Sequence, residues 1–337
     1  MKRGQTNALA VLTLGLGLHG LTAGPGAERM AVMQGETRTH ADGRAPIGDL
    51  FKAYYRLREL GWRLDMVASS RPSGTDHALP IIALRSPRAG PALWILAGIH
   101  GEEPAGPNAI AAAINDIGAL GVEHPVVLIP LCNPHGYARN WRYLNTPVYS
   151  ESIVGQSVGD SSHLLPDPAH PSRARAKTAS SREADALTRY ILRQTRAHPP
   201  RYTIDLHEDS LIDEGYVYSQ GAQGAADPLA IEAVRVLREN GIPVKMTGRT
   251  RFDEDIIGGI VDKVTDSSID ELMSAGQIIV GGKVKRGPGA KTVLVFETPA
   301  AAMTLAQRKA AHVELIQRLA SLIARSRDHG RKGQRID

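Results

Sequence analysis

Of the 337 residues only one is a cysteine, Cys132. That excludes a disulfide framework and any zinc site built from several thiolates. It leaves the compartment open, because an exported chain can do without disulfides. Aromatic residues are few, at 4%, and are not interleaved with basic ones, so no nucleic-acid partner is expected. Past the N-terminal segment no apolar run approaches the roughly 18 residues of a membrane span, so no integral membrane segment is expected in the mature chain. No repeat at a solenoid period is present. Charge is of both signs, with 40 basic and 35 acidic residues and a net charge of +5. Much of the excess sits near the C-terminus, at Arg325, Arg327, His329, Arg331, Lys332 and Arg335. This basic tail, residues 327–337, reads as a solvated chain end.

What is present starts at the N-terminus. Lys2 and Arg3 precede an apolar run from Ala8 to Leu21, followed by Thr22, Ala23, Gly24, Gly26 and Ala27. That order is the order of a secretory signal peptide over residues 1–27, and it predicts a periplasmic or secreted protein. No window reads as a clean Ala-x-Ala cleavage site, so an uncleaved extension on a cytoplasmic protein is the alternative.

The body, residues 28–326, alternates short apolar runs with longer amphipathic ones, which predicts a single α/β domain. Strands are expected at Arg63–Ala68, Ile81–Leu84, Leu93–Ala97, Val126–Leu131, Tyr202–Leu206, Gly215–Ser219 and Thr292–Phe296. Helices are expected at Ile47–Leu60, Pro104–Ile117, Arg182–Arg196, Pro228–Asn240 and Leu305–Arg325. Ser181 stands where an N-cap belongs, and Pro104 suits a first helical turn. Residues 134–180, 246–270 and 281–291 read as long loops. Motif residues flank all three, and loops of this length are commonly functional.

The chemistry concentrates at strand ends. Leu93–Glu103 reads LWILAGIHGEE, an apolar strand closing on His100 and Glu103. Imidazole nitrogen and carboxylate oxygen are ordinary zinc ligands, and Gly101 between them permits a tight turn. Alone the H-x-x-E pair is a weak signal. Its place at the end of a buried strand strengthens it, because α/β sheets bind ligands there. Tyr202–Leu206 leads in the same way into His207, Glu208 and Asp209. His100, Glu103 and His207 make three ligands with a fourth position open, which is the catalytic zinc pattern. Thr292–Pro299, TVLVFETP, ends in Glu297, a general-base candidate for a water attacking beside one Zn2+ ion.

Together these residues resemble the zinc carboxypeptidase family, including its bacterial murein-peptide-amidase-like members, over about Leu93 to Pro299. His100, Glu103 and His207 match the family's zinc ligands. Asn133-Pro134-His135-Gly136-Tyr137 resembles its Asn-Pro-Asp-Gly turn, and Trp141-Arg142 its oxyanion-stabilising Trp-Arg pair. Ser268-Ile269-Asp270 resembles its Gly-Ser-Ile-Asp stretch, and Glu297 its catalytic glutamate. The resemblance implies a mixed twisted sheet flanked by helices on both faces. It also implies hydrolysis of a peptide amide, with Glu297 as base and Arg142 at the oxyanion. Asn133, Ser162, His163, Ile269 and Asp270 are the implied substrate contacts.

Val158-Gly159-Asp160-Ser161-Ser162-His163 is the nearest counterpart of the family's run that ends in an Asn-Arg pair. Asp160 would there hold the ring of His100. Ser162-His163 replaces the pair that grips a terminal carboxylate, and histidine is the weaker, pH-dependent anchor. Arg249, Arg251 or Lys263 could meet a carboxylate instead. The family's mobile tyrosine has no counterpart, since no tyrosine follows Tyr218. Glu208 and Asp209 either favour an amine-bearing substrate, such as a peptidoglycan stem peptide, or are strand-end contacts. Two alternatives stay open: a deacylase of N-acyl amino acids resembling aspartoacylase and succinylglutamate desuccinylase, and a non-catalytic binding module on the same fold.

Overall fold

A computed structural model describes residues 40–70 and 78–332, so the expected signal peptide lies outside the described residues. The first helix, α1 (Ile47–Tyr55), runs into a 3-10 turn (Arg56–Leu60) that ends at Gly61, whose φ of 80° is left-handed. The strands β1 (Arg63–Ser70), β2 (Leu79–Arg85) and β3 (Ala92–Ala97) follow. Next come α2 (Ala105–Ala112), α3 (Ile114–Glu123), β4 (Val126–Ile129), α4 (Pro134–Arg139), β5 (Pro166–Asp167), β6 (His170–Ala174) and α5 (Arg182–Gln194). The second half holds β7 (Pro200–Asp209), β8 (Tyr216–Ser219), α6 (Pro228–Glu239), β9 (Thr247–Arg249), β10 (Asp255–Ile257) and β11 (Ile260–Asp262). It closes with α7 (Ile269–Ser274), β12 (Gln277–Val280), β13 (Lys283–Arg286), β14 (Thr292–Pro299) and α8 (Leu305–Lys332).

Ten strands form one mixed sheet in the order β1-β2-β4-β3-β7-β14-β8-β11-β10-β9. At its centre β4, β3, β7 and β14 run parallel, while β8 runs antiparallel to β14. Side chains alternate across a strand, so each strand feeds two cores. Leu93, Ile95, Tyr202, Ile204, Leu206, Leu294 and Phe296 pack on one face with residues of α1, α2, α3, α6 and α8. Trp94, Leu96, Val127, Ile129 and Val293 pack on the other with residues of α5 and α7. Buried apolar area on both faces, at about 25 cal/mol per Å2, is the main stabilising term. Helices therefore cover both faces, as the resemblance implies.

Several expected boundaries shift. The helix expected over Pro104–Ile117 breaks at Ala113 and resumes as α3, which continues past Gly118 and Gly121. A Cβ on Gly121 would lie 2.2 Å from Trp62 Cζ2, so close packing explains the glycine inside a helix. The loop expected over residues 134–180 contains α4 and the β5–β6 pair, and the one over 246–270 contains β9, β10 and β11. Residues 281–291 hold β13, which pairs with β12. These strands have two to five residues, too few for a period-2 signal. The last helix continues to Lys332, through the first part of the basic tail.

Candidate active site

The parallel strands β3, β7 and β14 deliver the site at their C-terminal ends. β3 leads into the turn of His100 and Glu103, β7 carries His207, and β14 carries Glu297 in register with His207. Alternation decides what faces the site. Ile204 and Leu206 pack in one core, so Asp205, His207 and Asp209 turn to the opposite face, and Glu208 turns back. Phe296 likewise leaves Glu297 on the side of His207.

The His100 turn is held by close backbone approach. A Cβ on Gly101 would lie 2.0 Å from the carbonyl carbon of Gly136. Arg44 Nη1 donates to both Gly101 O and Tyr137 O, at 2.8 and 3.0 Å. Asn133 caps α4 by accepting from Gly136 N at 2.8 Å, and its Nδ2 donates to Arg142 O at 3.3 Å. Asn133, expected as a substrate contact, is fully buried in the turn that positions Arg142 and does not line the cavity.

Glu103 is the hub. Its Oε1 lies 2.8 Å from His100 Nδ1 and its Oε2 lies 2.9 Å from His207 Nδ1. One ligand atom from each of the three residues lies within 4.8 Å of the others. Burial first, then the Arg142 charge, lowers the His100 pKa to about 3, which keeps its ring neutral as a ligand must be. Burial works against charge on His207, but Asp205 and Glu103 outweigh it and raise its pKa. Asp205 Oδ2 lies 3.1 Å from His207 Nε2. Neither atom makes an aligned hydrogen bond, so the contact is an ion pair held by distance and charge.

The donor set fits a zinc ion. Two neutral-capable imidazole nitrogens and a carboxylate converge, and buried oxygens of Asp205, Asp270 and Glu297 nearby have no hydrogen-bond partner. Buried polar oxygens without hydrogen-bond partners are costly, and a divalent cation bound among them would offset that cost. Glu297 is buried, and burial first, then Glu103 and Asp209, raises its pKa well above the usual carboxylate range. Arg142 donates from Nη1 to Glu102 at 2.7 Å and to Glu103 at 2.8 Å, leaving its buried Nε–H without a partner.

A cavity of about 630 Å3 opens over these groups, lined among others by Arg142, Ser162, Ile269, Asp270 and Glu297. Other expectations need correction. Asp160 does not hold His100: its Oδ1 accepts from the N and Oγ of Ser162, at 3.1 and 2.5 Å, closing a local turn. His163 turns away from the cavity toward α5, where its Nε2 lies 3.4 Å from Thr188 Oγ1. Glu208 points to the other face, pairs with Arg308 and accepts from Ala105 N at 2.6 Å. Asp209 does face the cavity, but accepts from Tyr216 and Arg251, both at 3.0 Å. Neither acid is therefore free to recognise an amine. Arg249 is spent on Asp253 and Asp255, whereas Arg251 lines the cavity.

Comparison with known proteins bears on the fold. Residues 89–251 match the succinylglutamate desuccinylase/aspartoacylase catalytic domain, a span that includes the three ligands but not Glu297. A candidate metallopeptidase from Shewanella amazonensis is similar with a TM-score of 0.62 and 21% identity, over 80% of this chain and 91% of that one. Carboxypeptidase A from Helicoverpa armigera is similar with a TM-score of 0.51 and 13% identity, over 89% and 80% of the two chains. Bovine thrombin-activatable fibrinolysis inhibitor, solved with a tick carboxypeptidase inhibitor, gives 0.50 and 14%, over 83% and 97%. No curated protein matches. The chain has the zinc carboxypeptidase-like fold. Its residues 89–251 are similar to the succinylglutamate desuccinylase/aspartoacylase catalytic domain.

Proposed function

We propose that the chain is a zinc-dependent hydrolase that cuts an amide bond in a small substrate. The observation that carries this reading is the convergence of His100, Glu103 and His207 on one point, with Glu297 beside them in strand register. His100, Glu103 and His207 would hold the zinc ion, which would supply Lewis acidity and lower the pKa of a water toward neutral. Glu297 takes the attacking water's proton and passes it to the leaving amine. Arg142 offers its unpartnered Nε–H to the oxygen that gains negative charge. Three ligands and a base all present argue against a purely binding role.

The carboxypeptidase-like fold favours a short peptide, of which a peptidoglycan-derived stem is one member. The matched domain over residues 89–251 favours deacylation of an N-acyl amino acid. A cavity of about 630 Å3 accommodates either. The test is amine release by zinc-loaded protein from matched sets of short peptides and N-acyl amino acids. Release that stops on chelation and returns with zinc supports the reading, and the better set decides between the two substrates. No release from any member contradicts it.

A further inference from the structure

Residues 40–46, just ahead of α1, lie outside the span 89–251 that matches the desuccinylase/aspartoacylase catalytic domain. They reach the metal turn through Arg44. Its side chain is fully buried, and each of its three guanidinium nitrogens is engaged. Nη1 donates to Gly101 O at 2.8 Å and to Tyr137 O at 3.0 Å. Nη2 donates to Asn140 Oδ1 at 2.6 Å, and Nε donates to Asp42 Oδ2 at 2.7 Å. Its Cζ stands 4.8 Å from the centre of the Tyr137 ring. The neighbouring backbone is tied to the same elements. Ala45 N donates to Asn108 Oδ1 of α2 at 2.9 Å, and Ala45 O accepts from the Tyr137 hydroxyl at 2.8 Å. The two carbonyls that share Nη1 belong to different parts of the site. Gly101 stands between His100 and Glu103, whereas Tyr137 lies in α4, which leads into Arg142. Gly101 N also donates to Arg142 O at 3.3 Å, so the two turns are joined directly on one side and through Arg44 on the other. The spacing matters to the ligands, because Arg142 Nη1 donates to Glu103 Oε1, the oxygen that faces His100. A planar guanidinium fixes two acceptors in direction as well as distance, which an ammonium does not.

We propose that Arg44 is a positioning residue of the metal site: it sets the spacing between the turn of His100 and Glu103 and the turn of Arg142, and through that spacing the affinity for zinc. The inference rests on the zinc reading of His100, Glu103 and His207. Arg44 does not line the cavity and acts only through the turns it joins. Asp42, at the more exposed end of the guanidinium, holds it in place.

The test measures the zinc affinity of the full chain by competition with a fluorescent chelator, beside the absorption spectrum of the cobalt-substituted protein, which reports ligand geometry. It compares wild type with Arg44→Met, Arg44→Lys and Asp42→Ala, with circular dichroism confirming the fold of each. Val236→Ala, a core position on α6, is the control for lost stability alone. Arg44→Met is expected to weaken zinc binding about tenfold or more and to alter the cobalt spectrum, the size of effect seen for groups that orient ligands. Arg44→Lys is expected to lose less, Asp42→Ala less again, and Val236→Ala nothing in either measurement. Arg44→Met that binds zinc as wild type does overturns the assignment. So does a loss in Val236→Ala as large as that in Arg44→Met, which traces affinity to stability alone. If Arg44→Met does not fold, Arg44→Lys and Asp42→Ala decide: weaker zinc binding in both supports the assignment, and unchanged binding in both overturns it. The two readings fail separately. A wild type without zinc affinity removes the metal site and the positioning role with it. A wild type that binds zinc beside folded, unaffected variants leaves the metal site standing and removes the role of Arg44.

Discussion

Asp205 Oδ2 lies 3.1 Å from His207 Nε2, on the side of the ring opposite the Nδ1 that faces Glu103 at 2.9 Å. Both carboxylates are buried, so the imidazole sits between two negative charges in a medium that screens them weakly. Outer carboxylates of this kind make a ligating ring more basic and fix its orientation. Asp205→Asn is expected to weaken zinc affinity about 10- to 100-fold, in line with other outer-partner substitutions. Competition with a fluorescent chelator measures it, and an unchanged affinity would show that Asp205 plays no part in holding the metal.

The turn of His100 and Glu103 depends on a glycine. An added Cβ at Gly101 meets the backbone of Gly136 and Tyr137 at 2.0 and 2.3 Å, and backbone cannot swing aside as a side chain can. Gly101→Ala is expected to cost more than about 3 kcal/mol, beyond ordinary overpacking. Urea denaturation of the metal-free protein checks this. A loss below about 1 kcal/mol would mean that the two turns separate freely.

Glu208 is expected to matter for folding and not for chemistry. Glu208 borders the cavity, but its carboxylate pairs with Arg308, and both side chains are buried. Arg308→Met strands a buried carboxylate and is expected to cost about 3–5 kcal/mol. The double variant with Glu208→Gln should recover part of that loss. Chemical denaturation reads both. If the double variant is no better than the single, the pair is not coupled.

Zinc that binds the folded chain alone stabilises it by mass action. At a free concentration 100 times the dissociation constant the gain is about 2.7 kcal/mol. Chelation should therefore lower the melting temperature, and re-addition of zinc should restore it. A melting temperature indifferent to chelator would contradict a metal held by the folded site.

How much of this was legible in the sequence depended on the length of the signal. The apolar runs of β3, β7 and β14 are long enough to stand out, and they place His100, Glu103, His207 and Glu297 at strand ends without structural help. The two-residue alternation of β7 was legible too, and it separates Glu208 from Asp209 and puts Asp205 beside His207. Adjacency in sequence suggested the opposite grouping. Where Asp160, Asn133 and His163 point is not legible in the sequence, because loop residues carry no period: local turns and a helix neighbour decide it. In sequence Arg251 is one of three loop cations, and only the structure places it in the cavity wall.

The central claim is that Glu297 moves the proton at a zinc centre built from His100, Glu103 and His207. Turnover and zinc content of Glu297→Gln, measured on one preparation alongside wild type, test it most directly. The account predicts about one zinc per chain in both proteins, with turnover of the variant down by about 10^2- to 10^4-fold, the usual share of a positioned general base. Near-normal turnover in the zinc-loaded variant would contradict it.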